Sequence, residues 1–190
     1  MSTRETILRD APLEGAALDT HLRAVATECR KTGFVRLKGI RRAMRSLDVS
    51  LAILRARHDA EELTPASLWL VDNARLIEEA CVTLQQELRA APRLPAHRGE
   101  ARVSRLAREW ISHTDARVDG DALVRAATAW QAARALDEVE LCLLPLAFRR
   151  SLVLLLSDLA AHSAETSSMP RSCMTRLRTS ASSWNCASSL

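Results

Sequence analysis

The chain has 190 residues and a mass of 21.0 kDa, enough for one domain with a real core. Apolar residues make up 47% and charged residues 26%, which excludes a wholly disordered or collagen-like chain. The formal charge is +4 with a pI near 9.1, but only Lys31 and Lys38 of the 27 basic residues are lysines, a bias that fits GC-rich coding better than a selected phosphate-binding surface.

Taken in chain order, the sequence predicts helices throughout. Residues 1–15 are polar and mixed and are expected to be poorly ordered. A first helix over 18–31 puts Leu22, Val25, Ala26 and Cys29 on one face, and Gly33 ends it. A second, over 39–63, aligns Ile40, Met44, Leu47, Leu51 and Leu54. Thr64 as N-cap and Pro65 at the first helical position open a long third helix over 65–91, with Trp69, Leu76, Ile77, Ala80, Leu84 and Leu88 as its stripe. Residues 92–99 hold two prolines and a glycine and read as a loop and hinge. A fourth helix over 100–113 buries Val103, Leu106, Ala107, Trp110 and Ile111, with Arg102, Arg105, Arg108 and Glu109 facing water or neighbours. A fifth over 121–136 turns Leu123, Ala127 and Trp130 inward. Asp137 with Glu140 has capping-box spacing and starts a sixth helix, which Pro145 is expected to kink.

The composition points the same way. Thirty-one Ala and 29 Leu form roughly a third of the chain, while five Gly, six Pro, two Phe and no Tyr leave little for a sheet protein. The expected fold is all-α, an irregular bundle of five to six helices over 16–162, followed by a disordered tail. That tail, 163–190, has nine Ser, one acidic residue and no helical periodicity, and reads as an out-of-frame translation. Cys29, Cys81, Cys142, Cys173 and Cys186 are odd in number and never in a C-x-x-C pair, which indicates neither a disulfide framework nor a zinc site but a reducing compartment. The first residues carry charges where a signal peptide needs an apolar run, and charges interrupt the apolar stretch 139–159 too often for a membrane span, so a cytoplasmic location is expected.

Catalytic signatures are missing: there is no Walker A loop, G-x-G-x-x-G, G-x-S-x-G or H-E-x-x-H. Asp119-Gly-Asp121 is a D-x-D, the pattern that holds a metal against a nucleotide diphosphate in many glycosyltransferases, but an acid beside a glycine ahead of a helix is first of all a cap. His113 and Asp115 have the types of a base and its orienter, yet no nucleophile accompanies them and a surface helix end explains them. Charge is concentrated in residues 30–57, where nine basic residues face one acid, Asp48. Arg36, Lys38, Arg41, Arg42 and Arg45 are the candidate anion-binding residues, suited to phosphates, anionic headgroups or an acidic partner. With Phe34 the only aromatic among them, base stacking is unsupported and no nucleic acid is expected. Asp72 and Asn73, beside Trp69, read as polar contacts to a helix end or a neighbouring arginine, or as a docking point between helices.

Several segments, in order, resemble the N-terminal, non-phosphorylase region of cyclic β-1,2-glucan synthases. Thr64-Pro-Ala-Ser-Leu-Trp-Leu-Val-Asp-Asn-Ala-Arg-Leu-Ile-Glu-Glu79 is similar to that family's LTPAAEWLLDNFYLIEEQ, Ala101-Arg-Val103 through Ala107 to PRVYALA, and Ser112 through Leu123 to HSDGRLDEERL. Glu87-Leu-Arg with Leu94-Pro95 resembles the DLP and LP loop, Gln131 matches the glutamine of AYQ, and Glu140-Leu-Cys-Leu-Leu-Pro145 through Leu152 resembles ELWALPIMLRLAL. The likeness spans about 60–156, with Ala74, Ser104 and Cys142 where the family has aromatics.

The family consists of large bacterial inner-membrane enzymes that polymerise glucose from UDP-glucose on a tyrosine of their own. The resemblance therefore implies a glycosyltransferase-related helical segment, with Trp69, Asp72, Asn73, Glu140 and Pro145 as its structural motif residues. A chain without tyrosine cannot carry the glucan primer. The expectation is a truncated, non-catalytic segment with a scaffolding role in glucan biosynthesis, needing no cofactor or metal and having the other domains of a synthase as partners. Self-association is expected through an apolar face left open around 152–159. The alternative is a free-standing adaptor that docks an anionic partner or the membrane surface through residues 30–57. A small glycosyltransferase centred on Asp119 and Asp121 comes third.

Overall fold

A computed structural model describes residues 12–58 and 63–166. The expectations for residues 1–11 and for 167–190 lie outside the described residues.

The fold is all-α, as the composition predicts, with seven helices among the described residues and a small sheet. The elements run α1 (Gly15–Glu28), β1 (Gly33–Arg36), α2 (Arg41–His58), α3 (Pro65–Asp72), α4 (Ala74–Ala90), β2 (Arg93–His97), β3 (Glu100–Ala101), α5 (Arg102–His113), α6 (Gly120–Gln131) and α7 (Glu138–Thr166). The 29-residue α7 is the axis. It packs most extensively on α2 and α5, and also touches α3, α4, α6 and β2, while α1 lies against α6 and α5.

Helical periodicity explains the core of α2 and α5. Leu47, Leu51 and Leu54 are fully covered on α2, and Val103, Leu106, Ala107 and Ile111 on α5. The expected third helix is instead two helices broken at Asn73, whose backbone and side-chain N–H groups both donate to the Trp69 carbonyl, at 3.0 and 2.8 Å. The break resets the phase. Ala74, Ile77, Cys81, Leu84, Gln85 and Leu88 are buried on α4, while Trp69, Leu76 and Ala80, assigned to the core from the sequence, lie exposed. Asp72 is exposed at the end of α3, so the Asp72–Asn73 pair reduces to the Asn73 cap.

Where a loop is expected over 92–99, the chain forms strand β2 from Arg93 to His97 and begins a hairpin. β2 pairs antiparallel with β1, Gly33 opposite Ala96 and Arg36 opposite Arg93, and on its other side with the two residues of β3. Pro95 fits in this middle strand because β3 reaches only Ala96 and His97, so one edge at Pro95 is open and its missing N–H goes unneeded. The β2–β3 turn is Arg98-Gly99, both at positive φ (48° and 80°), the arrangement that matches strand twist in a two-residue hairpin.

α7 starts with a reciprocal capping box: the Glu140 N–H donates to Asp137 Oδ1 at 2.8 Å, and the Asp137 N–H to Glu140 Oε2 at 3.0 Å. The helix continues through Pro145, which deprives the Leu141 carbonyl of its usual donor; both residues are exposed, so this end of the helix's hydrogen-bond ladder opens to solvent. It also runs to Thr166, past the expected change of character at 163. The apolar face expected to be open at 152–159 is mostly covered, because Val153 and Leu155 are buried and only Leu159 is exposed. Other exposed large apolar side chains are spread over β1 (Phe34), α2 (Val49, Ile53), α3 (Leu68, Trp69), α4 (Leu76, Val82), α6 (Val124) and the start of α7 (Val139, Leu141). Among the described residues no helix is long and apolar enough to cross a membrane.

Of the three described cysteines, Cys29 and Cys81 are buried and Cys142 is exposed. Burial pushes both buried thiols up; at Cys29 the Arg105 guanidinium opposes the shift, and at Cys81 the Asp48 and Glu78 carboxylates add to it. The folded state thus holds these protons more tightly than the unfolded chain does. The associated stability is intact below the ordinary thiol range and declines as pH rises through it. An alkylating reagent at neutral pH is expected to label Cys142 promptly and Cys29 and Cys81 only on unfolding, as read by peptide mass.

Candidate functional site: a basic pocket

The β1–α2 linker, the β2–β3 turn, the start of α5 and the middle of α7 enclose a cavity of about 350 Å³. Its wall carries Arg36, Lys38, Arg98, Arg108 and Arg150, with Glu100 as the single carboxylate. Glu100 is already engaged, since Arg108 grips both its oxygens at 2.6 and 3.2 Å. Two of the other cations are held by backbone carbonyls. Arg36 Nη1 donates to the Ala91 carbonyl at 3.1 Å, and Arg150 Nε to the Lys38 carbonyl at 2.7 Å. These contacts fix the guanidinium groups in place without neutralising them.

Burial lowers the pKa of Arg150; the nearby Glu100 charge opposes that shift and Arg108 adds to it. A partly desolvated guanidinium beside another cation gains from an anion that replaces its lost hydration. The first turn of α5 adds to the same field. It has no side-chain cap and no acidic residue, and Ala101 and Ser104 place it against the cavity, so its free N–H groups carry the positive end of the helix dipole. Ser104 and Ser151, both buried, bring two hydroxyls to the wall. Arg98 is costly where it stands, because a positive φ disfavours any side chain by about 1 kcal/mol relative to glycine. The turn is braced by its N–H, which donates to Thr32 Oγ1 at 3.1 Å.

Of the five candidate anion-binding residues, the structure brings Arg36 and Lys38 into this pocket, while Arg41, Arg42 and Arg45 are exposed on α2 and line no part of it. Sequence reading missed Arg98, Arg108, Arg150 and the two serines. The available signals were an arginine in a Gly-containing turn and an Arg149-Arg150 pair inside an otherwise apolar helix.

The other motif residues resolve into structure. Asp119 caps α6, its Oδ1 accepting from the Ala122 N–H at 2.7 Å. Asp115 is exposed, at φ 49°. His113 is not the surface helix end expected from the sequence but is buried, because residues 12–14 fold back over this end of α5 and the Leu13 N–H donates to the His113 carbonyl at 2.9 Å. Glu140 is fully buried and paired with Arg102, which also donates to the Ala135 carbonyl at 3.0 Å. Arg102 is therefore part of the interior rather than of a solvated face. Compared with family models, with curated proteins and with solved structures, the chain matches none of them.

Proposed function

We propose that this chain is a non-catalytic helical docking module, related to the N-terminal region of cyclic β-1,2-glucan synthases, that holds an anionic group in the basic pocket. One observation carries the reading: five cationic side chains and an uncapped helix start converge on one cavity whose only carboxylate is already paired. The cavity volume suits a phosphate-bearing group about the size of a sugar phosphate. The order of glucan-synthase-like segments over 60–156 supports the family part of the reading, and the scaffolding role would be carried out by this grip on a charged partner.

The test is a calorimetric titration with pyrophosphate and with glucose 1-phosphate at low ionic strength. Each charge-assisted hydrogen bond is worth about 1.5–3 kcal/mol, so Arg150→Gln and Arg108→Gln should each weaken binding by about tenfold or more, while Arg45→Gln leaves it unchanged. Binding that is absent, or indifferent to Arg150 and Arg108, would remove the proposal.

A second reading has its own observation. Arg42, Arg45, Val49 and Ile53 follow one another at helical spacing on α2 and are all exposed, a basic and apolar stripe suited to an anionic lipid surface. Binding to phosphatidylserine vesicles that is lost in Arg42→Gln/Arg45→Gln and retained in Arg150→Gln would favour the stripe over the pocket.

A further inference from the structure

A second cluster lies apart from the basic pocket, where α1 crosses α5. His21 on α1 and Glu109 and His113 on α5 bring three potential ligand atoms to within 4.8 Å of one another. Glu109 and His113 are four residues apart and so share one face of α5, while His21 comes from a helix 88 residues away in sequence. His21 Nε2 is 2.9 Å from Glu109 Oε2, and the two imidazole rings meet edge to face with centroids 4.5 Å apart. Glu109 and His113 are both buried.

Two imidazoles and a carboxylate, largely screened from water, are the donor set of many zinc sites with three protein ligands. We propose that His21, Glu109 and His113 bind a divalent transition-metal ion, zinc(II), which ties α1 to α5. Zinc bonds of about 2.0–2.1 Å put tetrahedral donors roughly 3.3 Å apart, so closing from 4.8 Å takes a torsional adjustment of side chains and leaves the helices in place. The ion replaces the hydrogen bond between His21 Nε2 and Glu109 Oε2, which move slightly apart from 2.9 Å, and the His21 imidazole binds through an unprotonated Nε2 with its proton on Nδ1. Arg105 then supports the carboxylate from outside: its Nε lies 2.7 Å from Glu109 Oε1, out of line for a hydrogen bond, so that oxygen is attracted without being committed. The edge of His21 is about a third exposed, which gives the ion a route in and leaves room for a water as fourth ligand.

The experiment uses the full chain, reduced and freed of metal with a chelator, and titrates zinc by calorimetry and cobalt(II) by absorption. The expected result is one equivalent of zinc, a cobalt spectrum with ligand-field bands of nitrogen and oxygen donors and no thiolate charge-transfer band, and a Tm raised by roughly 5 °C or more at saturation. His21→Gln, chosen because its partial exposure should leave the fold intact, weakens binding by about tenfold or more, and His113→Gln does the same. Cys142→Ser leaves the affinity unchanged. Zinc binding that survives His21→Gln, a thiolate band in the cobalt spectrum, or no binding by the folded wild type would each overturn the proposal.

Discussion

Replacing Glu140 with alanine is expected to cost about 3–5 kcal/mol, enough to threaten folding of a protein of ordinary stability. Glu140 is fully buried and accepts from Arg102 Nε at 2.9 Å, from the Arg102 guanidinium terminus and from the Asp137 N–H. Truncation strands the buried Arg102 cation and opens the capping box at the start of α7. The cost lies mainly in the charge left behind, not in the worth of the pair. The double replacement Arg102→Met with Glu140→Leu should therefore recover most of the loss, short of about 1 kcal/mol for the cap. Urea unfolding midpoints of the wild type and the two variants decide this; a double variant no better than Glu140→Ala would mean that the polar network itself holds α5 on α7.

Trp130→Ala is expected to be comparably damaging, at about 3–5 kcal/mol, since the indole is completely covered on α6 and alanine leaves a large cavity. Trp130→Phe should behave quite differently. The Trp130 Nε1 is buried and has no hydrogen-bond partner among the described residues, and such an unpaired donor costs about 1–3 kcal/mol. Phenylalanine gives up some packing and removes that penalty, so the net change should stay within about 1.5 kcal/mol. If the phenylalanine variant melts as low as the alanine variant, the indole N–H is satisfied by a buried water after all.

These two sites also mark what the sequence made legible. The Asp137–Glu140 spacing announced the cap, and the apolar intervals of α2 and α5 announced their buried faces, because those features are local and repeat at the helical period. The break at Asn73 was hidden, since no glycine or proline marks it and the interruption rests on one amide turning back to Trp69. The sheet was hidden too: its strands have four, five and two residues, one of them containing a proline, and only pairing across the chain makes them strands. For the pocket, the basic run 30–57 pointed to Arg36 and Lys38, while Arg98, Arg108 and Arg150 each stood alone in their own segments. Charge density along a chain is not charge density in space.

The pairing of β1 with β2 has a kinetic consequence. Gly33 meets Ala96 only after the intervening chain, including α2, α3 and α4, has closed into a loop of more than sixty residues, whereas each helix forms from neighbours a few residues apart. The entropy of that closure is paid before any strand bond repays it, so the sheet is expected to be among the later events of folding. Arg36 and Lys38 reach Arg98 only across that sheet. During refolding the chain should therefore pass through a helical stage in which its cations are still scattered, and assemble the basic pocket last.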